Sequence, residues 1–356
     1  FSDRFNCVSL LAIELKLMVA GGNRMRDKLH TLKQELVDGV IALAKERIAK
    51  DKREEAENFI RQFYANIAPQ DILSEEAEDL FGGALSIWSF GKSRDPGTTK
   101  IRAYNPRFET TGWQSPHTVI EIVNDDMPFL VDSVTTALTA LDITVHLVIH
   151  PILKVERSSA GKVRALLEPD NDGADTIRES FMQLRISEQS STEVLSNIEA
   201  ELHSVLDDVR TSVEDWRTMR EKVLDVVTEI GARDTPHNRE EVSEVIDFLR
   251  WIEDNHFTFL GYRELDYVGS GKNAHMEVVD GSGLGILRSP DTSVFEGLRN
   301  LGQLPEEVRS FLTSPDLLLI MKANRKARVH RPVHMDTIIV KKIDKTGTVT
   351  GEHRFI

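Results

Sequence analysis

The glycine cluster Gly281-Ser282-Gly283-Leu284-Gly285 resembles a phosphate-cradling loop. A dinucleotide fingerprint, however, sets its third glycine further from the second and then opens a helix, and Ile286 to Pro290 does not open one. A turn between strands accounts for it better. Asp170-Asn171-Asp172-Gly173 has the residue types of a calcium loop but lacks the sixth-position glycine and twelfth-position glutamate of an EF-hand, so it reads as a solvated turn. His146 and His150 share one strand face, yet four residues along a strand place them roughly 13 Å apart, too far to hold one ion. His330, His334 and Asp336 also share parity, and only His334 and Asp336 are close enough to share a metal. With no third ligand in view, they read as polar residues of a sheet surface. The only thiol, Cys7, lies near the start of the chain. No zincin helix, Walker loop or serine elbow is present. No catalytic residue and no metal site is therefore assigned.

One turn remains a candidate for ligand binding. At Asn124-Asp125-Asp126-Met127-Pro128 a strand ends and a helix begins, and free backbone N–H groups at a helix start can hold a carboxylate. The candidate residues are Asn124, Asp125, Asp126 and Met127. The competing expectation is that Asn124, Asp125 or Asp126 caps the helix.

The elements that must position this turn follow from periodicity. Leu29, Leu32, Leu36, Val40 and Leu43, then Ala56, Phe59, Ile60 and Phe63, recur at helical spacing on either side of a charged junction, Lys50 to Glu57. A further helix is predicted over Glu75 to Phe90, with Ser74 as its cap. The period then becomes two. Strands are predicted over Thr118 to Asn124, Ile143 to Ile149, Ile152 to Glu156 and Phe181 to Ser187. After Pro128 a helix carries Leu130, Val134, Leu138 and Leu141 on one face, and another begins near Thr192. Helical stripes recur over Trp216 to Ile230 and Val242 to Ile252. Strands follow over Phe257 to Asp266, Ala274 to Val279 and His334 to Ile343, the last turning at Asp344 to Gly347 into Thr348 to Ile356. One-sided hydrophobic strands favour antiparallel sheets covered by helices, an α+β fold. The expected domains are an uncertain start at 1–24, a helical module at 25–97, an α+β domain at 98–211, a helical connector at 212–238, and a second sheet domain at 239–356 that stops within its last hairpin.

With 356 residues the chain has the size of two or three domains. It carries 58 acidic and 44 basic residues, a formal net charge of −14, so its field repels phosphate backbones and anionic lipid. That argues against nucleic acid and membranes as partners. The apolar run Val8 to Leu17 is interrupted by Glu14 and Lys16 and is too short to span a bilayer. A single cysteine, with no pair for a disulfide or a zinc site, fits a reducing, cytoplasmic setting.

Several stretches resemble the large NAD-specific glutamate dehydrogenases of bacteria. They are Thr118 to Ser133 (TVIEIVNDDMPFLVDS), Ile143 to Pro151 (ITVHLVIHP), Asp254 to Tyr262 (DNHFTFLGY), Gly283 to Arg288 (GLGILR) and Val329 to Asp336 (VHRPVHMD). The resemblance implies a segment N-terminal to the catalytic domain, containing ACT-like modules that serve regulation or assembly. It implies NAD as cofactor of the full-length enzyme and none in this segment. The implied partners are the catalytic domain of the same polypeptide, further copies in a homo-oligomer, and an amino-acid effector. The second sheet domain is expected to be ACT-like or PAS-like. ACT domains that bind amino acids commonly place glycine after an Asp-x-Pro turn. Here Phe129 follows Asp126-Met127-Pro128, which favours subunit packing over sensing.

Overall fold

The computed structural model describes residues 5–233, 236–289, 292 and 299–356, and of residues 5–24 the backbone only. The side chain of Cys7 lies outside the described residues, as do Pro290 and part of the breaker run after Gly231. Contacts divide the chain into two compact units, residues 1–126 with 141–200, and residues 127–140 with 201–356.

The first unit opens with helices α1 (Phe5–Arg47), α2 (Arg53–Tyr64), α3 (Pro69–Ile72) and α4 (Ala77–Gly91). The charged junction is shorter than the sequence implied, because α2 already begins at Arg53. Ser74 caps nothing: α4 starts after Glu76, whose side chain makes no capping bond. Strand β1 (Lys100–Tyr104), the single turn α5 (Phe108–Thr111) and strand β2 (Thr118–Asp125) follow. The chain then passes through α6 (Leu130–Ala140), counted with the second unit, and returns in β3 (Val145–Ile149), β4 (Ile152–Arg157), β5 (Val163–Leu166) and β6 (Thr176–Ile186). All pairings are antiparallel, in the order β1-β2-β6-β4-β5, with β3 on β6 just ahead of β4. Because β2 and β3 both run antiparallel to β6, they run parallel to each other with β6 between them. That is the split β-α-β connection of ferredoxin-like folds.

An apolar core joins helices and sheet in this unit. It holds Val40 and Ile41 of α1, Phe59 and Phe63 of α2, Leu80 and Trp88 of α4, and Val123, Leu153 and Phe181 of the strands. Phe59 stacks on Trp88 with centroids 4.6 Å apart. The helices leave little of the central strands to water. β2 is buried on both faces, so its polar Glu121 needs internal partners. Arg102 donates to it at 2.7 Å, the Tyr104 hydroxyl at 3.0 Å and Gln183 at 3.2 Å.

In the second unit α7 (Thr192–Glu214), which begins in the first, leads to α8 (Trp216–Ala232) and α9 (Arg239–Trp251). Asn238 and Glu241 close a capping box on α9. One π-helical turn, Ile252–His256, then leads into the sheet. Its strands are β7 (Gly261–Val268), β8 (His275–Val278), β9 (Leu284–Gly285), β10 (Leu318–Lys326), β11 (His334–Ile343) and β12 (Val349–Phe355), with α10 (Glu306–Leu312) before β10. The order is β10-β11-β12-β7-β8, all antiparallel, with β9 on β7. Met219 and Val223 of α8 and Leu249 of α9 share a core with Tyr262, Ile338, Val340 and Phe355. Lys341 and Glu352 are both fully buried, 3.3 Å apart, and each bonds the Tyr267 hydroxyl, at 2.9 and 2.5 Å. Burial lowers the Lys341 pKa against the pull of Glu352. Helix α6 buries Leu130, Val134 and Leu138, but Leu141, expected on the same face, is exposed.

Among the described residues no helix is long and apolar enough to cross a membrane.

A charge-locked turn as the candidate functional site

The two units part after Asp126, leaving Asn124, Asp125 and Asp126 in the first and Met127 in the second. Asn124 and Asp125 end β2, paired with Ser180 and Glu179 of β6. The Asn124 side chain is fully buried and accepts from the Thr99 hydroxyl at 3.0 Å. Asp125 accepts from Arg94 at 2.6 Å. Asp126 donates its backbone N–H to the Arg178 carbonyl at 3.0 Å and accepts from the Arg178 guanidinium at 3.1 Å. Met127 is half-buried.

The capping expectation for these side chains does not match what is found. They do not cap α6, which begins only at Leu130, beyond the turn formed by Pro128 and Phe129. Pro128 is thus outside the first helical turn. Nor do Asp125 and Asp126 stand as uncompensated acids, since each meets an arginine.

Beneath Asp125 lies a closed ionic cluster. Arg94 reaches Asp125 and Glu179, both at 2.6 Å, and Arg157 takes both oxygens of Glu179. Two guanidinium and two carboxylate groups cancel. The remaining donors go to carbonyls, Arg94 to Thr98 at 2.6 Å and Arg157 to Gly161 and Gly91 at 2.6 and 2.7 Å. Burial works against the Arg94 charge, but bonds to Asp125 and Glu179 outweigh it and hold its pKa above the ordinary value. Gly161 is required here: its φ is +72°, and a Cβ would lie 2.2 Å from the Arg94 carbonyl oxygen. This arrangement fixes the end of β2 and engages one carboxylate oxygen of Asp125 with Arg94 and one of Asp126 with Arg178.

Past the turn, Phe129 adopts φ +72°, in the left-handed region. The position thus keeps the backbone conformation a glycine would supply, at a cost of about 1–2 kcal/mol for an L-residue. Its ring lies against that of His330, with centroids 4.7 Å apart.

The other sequence candidates are dispersed. His146 stacks on His117 with centroids 4.4 Å apart, and a register shift in β3 separates it from His150, which bonds Ser180 at 2.7 Å. His334 faces the Ala323 carbonyl at 3.0 Å, Asp336 pairs with Lys322 at 2.7 Å, and His330 pairs with Asp132 at 3.3 Å. Among the described residues no three histidine, cysteine or acidic side chains converge as a metal site. Asp172 pairs with Lys154 at 2.7 Å. The glycine cluster forms a turn and β9, where a Cβ on Gly285 would sit 2.1 Å from the Leu260 carbonyl oxygen. Sequence reasoning missed Arg94, Arg157 and Glu179. They come from a loop and two strands, so no spacing marks them.

The sheet, its split connection and this turn define a class of domain, and comparison with known proteins agrees. Residues 59–202 match the family described as the ACT1 domain of glutamate dehydrogenase. The match begins within α2, so it includes helices that share the core of the first sheet. The chain is 34% identical over 333 residues to the NAD-specific glutamate dehydrogenase of Halomonas elongata, covering 92% of this chain and 20% of that protein. It is 33% identical over 298 residues to the enzyme of the same description from Pseudomonas aeruginosa, and 27% over 277 residues to that of Mycobacterium tuberculosis. The chain is similar to the NAD-specific glutamate dehydrogenases and spans about a fifth of the length of the Halomonas relative.

Proposed function

We propose that this chain is a non-catalytic, N-terminal regulatory and assembly segment of a large glutamate dehydrogenase. In the full-length protein a catalytic domain elsewhere in the polypeptide oxidises L-glutamate to 2-oxoglutarate and ammonium with NAD, in the cytoplasm and within a homo-oligomer. The observation that carries this reading is the pair of coverages, 92% of this chain against 20% of the relative. The modular limits drawn from the sequence, with sheet domains at 98–211 and 239–356, belong to the same proposal. For 239–356 the PAS-like alternative is preferred. Its strands β10, β11 and β12 form a meander, and among the described residues no helix joins two strands that flank a single third, as α6 does in the first sheet.

Assembly is preferred over sensing because Asn124, Asp125 and Asp126 already have protein partners. The second reading, an ACT module that binds an amino acid at Asn124 to Met127 and acts allosterically, is favoured by the left-handed backbone of Phe129. Deleting the segment from the full-length enzyme separates the two. Under the assembly reading the particle mass by light scattering falls. Under the sensing reading mass is kept and the response of the rate to free amino acids is lost. Glutamate-dependent NADH formation by the segment alone would refute both.

A further inference from the structure

The second unit contains a cavity of about 350 Å³ lined by four aromatic side chains, Phe129, Trp216, Phe257 and Phe259, with Asn255 and Thr258 among the polar contributors. Among the described residues no ionisable side chain lines it. Its size is at the lower end of small-molecule sites, and its composition, apolar with a few polar groups, is what such sites share.

The walls are held in place. Phe257 and Phe259 pack edge to face with centroids 5.0 Å apart, and the Arg220 guanidinium sits 4.9 Å over the Trp216 ring while its Nε donates to Glu253 at 2.8 Å. Two of the four left-handed non-glycine residues among the described ones, Phe129 and Asn255 at φ +72° and +60°, line this cavity. Asn255 sits in the π-helical turn. Such backbone persists where surrounding packing over-determines it, and it clusters at ligand clamps, as π-turns do at functional sites.

We propose that this cavity binds a small, uncharged, flat aromatic ring. Ring walls favour a planar guest in stacked or edge-on contact. The lack of a charged partner disfavours an ionised one. The exposed Asn255 carboxamide and Thr258 hydroxyl, which bond no protein group among the described residues, orient a ring N–H or O–H. This assignment is independent of the dehydrogenase reading.

The test titrates indole into the full 356-residue chain by calorimetry, with thermal melts in parallel. Saturable one-site binding is expected, with a melting temperature that rises with indole concentration. Benzoate, an ionised ring, and cyclohexanol, apolar without a π-face, should each bind at least about tenfold more weakly. Thr258→Trp, which places a bulky ring among the lining residues, and Trp216→Leu should each weaken indole binding at least about tenfold with the circular dichroism unchanged. Leu224→Ala, on α8 and outside the lining, should leave binding as it was. If Thr258→Trp fails to fold, Trp216→Leu decides. No saturable heat up to the solubility limit of indole, benzoate or cyclohexanol binding equal to indole, or a folded lining variant that binds normally would overturn the proposal.

Discussion

Arg157 holds both carboxylate oxygens of Glu179 at 2.6 Å, with side-chain exposures of 3% and 0%. Two charges taken out of water tolerate each other but not separation, because either alone would be buried without compensation. Glu179→Ala should therefore destabilise the first unit by about 3–5 kcal/mol. The double variant Arg157→Met, Glu179→Leu should lose less than that, since Arg94 keeps Asp125. Urea denaturation of both variants checks the order, and a double variant worse than Glu179→Ala would contradict it.

Phe129 offers a comparison free of side-chain differences beyond one methyl. Both Phe129→Ala and Phe129→Gly remove the ring, but only glycine occupies φ +72° without strain. The glycine variant should be the more stable by about 1 kcal/mol. Equal midpoints, or alanine above glycine, would mean that the left-handed conformation is not held in solution.

Leu138 is fully buried on α6. Leu138→Ala should cost about 2–5 kcal/mol, whereas Leu141→Ala, at an exposed position, should stay within about 0.5 kcal/mol. Denaturant midpoints measured side by side test whether the buried stripe ends before Leu141.

Stability should depend on pH through two histidines next to strands of the first sheet, His117 before β2 and His150 after β3. Burial lowers the pKa of His150 against the pull of Asp126, and burial, with the His146 ring and the Arg185 guanidinium nearby, lowers that of His117. The unfolded chain then binds protons at pH values where the folded chain does not. The contribution is complete above the ordinary 6.5 and is lost as pH falls from there through the folded values. Melting temperature should drop between about pH 7 and about pH 5, and less steeply in the His117→Gln, His150→Gln double variant. A melting temperature that rises on acidification would oppose this sign.

The helices and most strands were legible because their apolar residues repeat at 3.6 or 2. The strand over Phe181 to Ser187 was recognised by Met182, Leu184 and Ile186, but β6 extends back to Thr176 through Arg178, Glu179 and Ser180, where polar residues hide the pattern. Alternation is also no guide to burial in this strand: Gln183 and Arg185, which alternate with Met182, Leu184 and Ile186, are nearly inaccessible. Helix α4 supplies the Gly83 carbonyl to Gln183 at 3.0 Å, and Glu75 pairs with Arg185 at 2.6 Å. Strands β1 and β10 were missed for another reason. Both lie at sheet edges and are largely half-buried or exposed, so KIRAY and LLIMKANRK carry no clear period. The candidate turn was visible as residue types, while its ionic partners were not, since Asp125 and Glu179 meet only through strand pairing.

The place of β12 between β7 and β11 has a consequence for synthesis on the ribosome. Asp266 pairs with Gly351, so β7 leaves the exit tunnel long before the strand that will cover its inner edge. At about 5–20 residues per second, a gap of about 85 residues lasts roughly 4–17 s. Throughout that interval the β7–β8 hairpin presents an unfilled row of amide and carbonyl groups, and the nascent chain is a substrate for whatever holds such edges apart until Phe355 arrives.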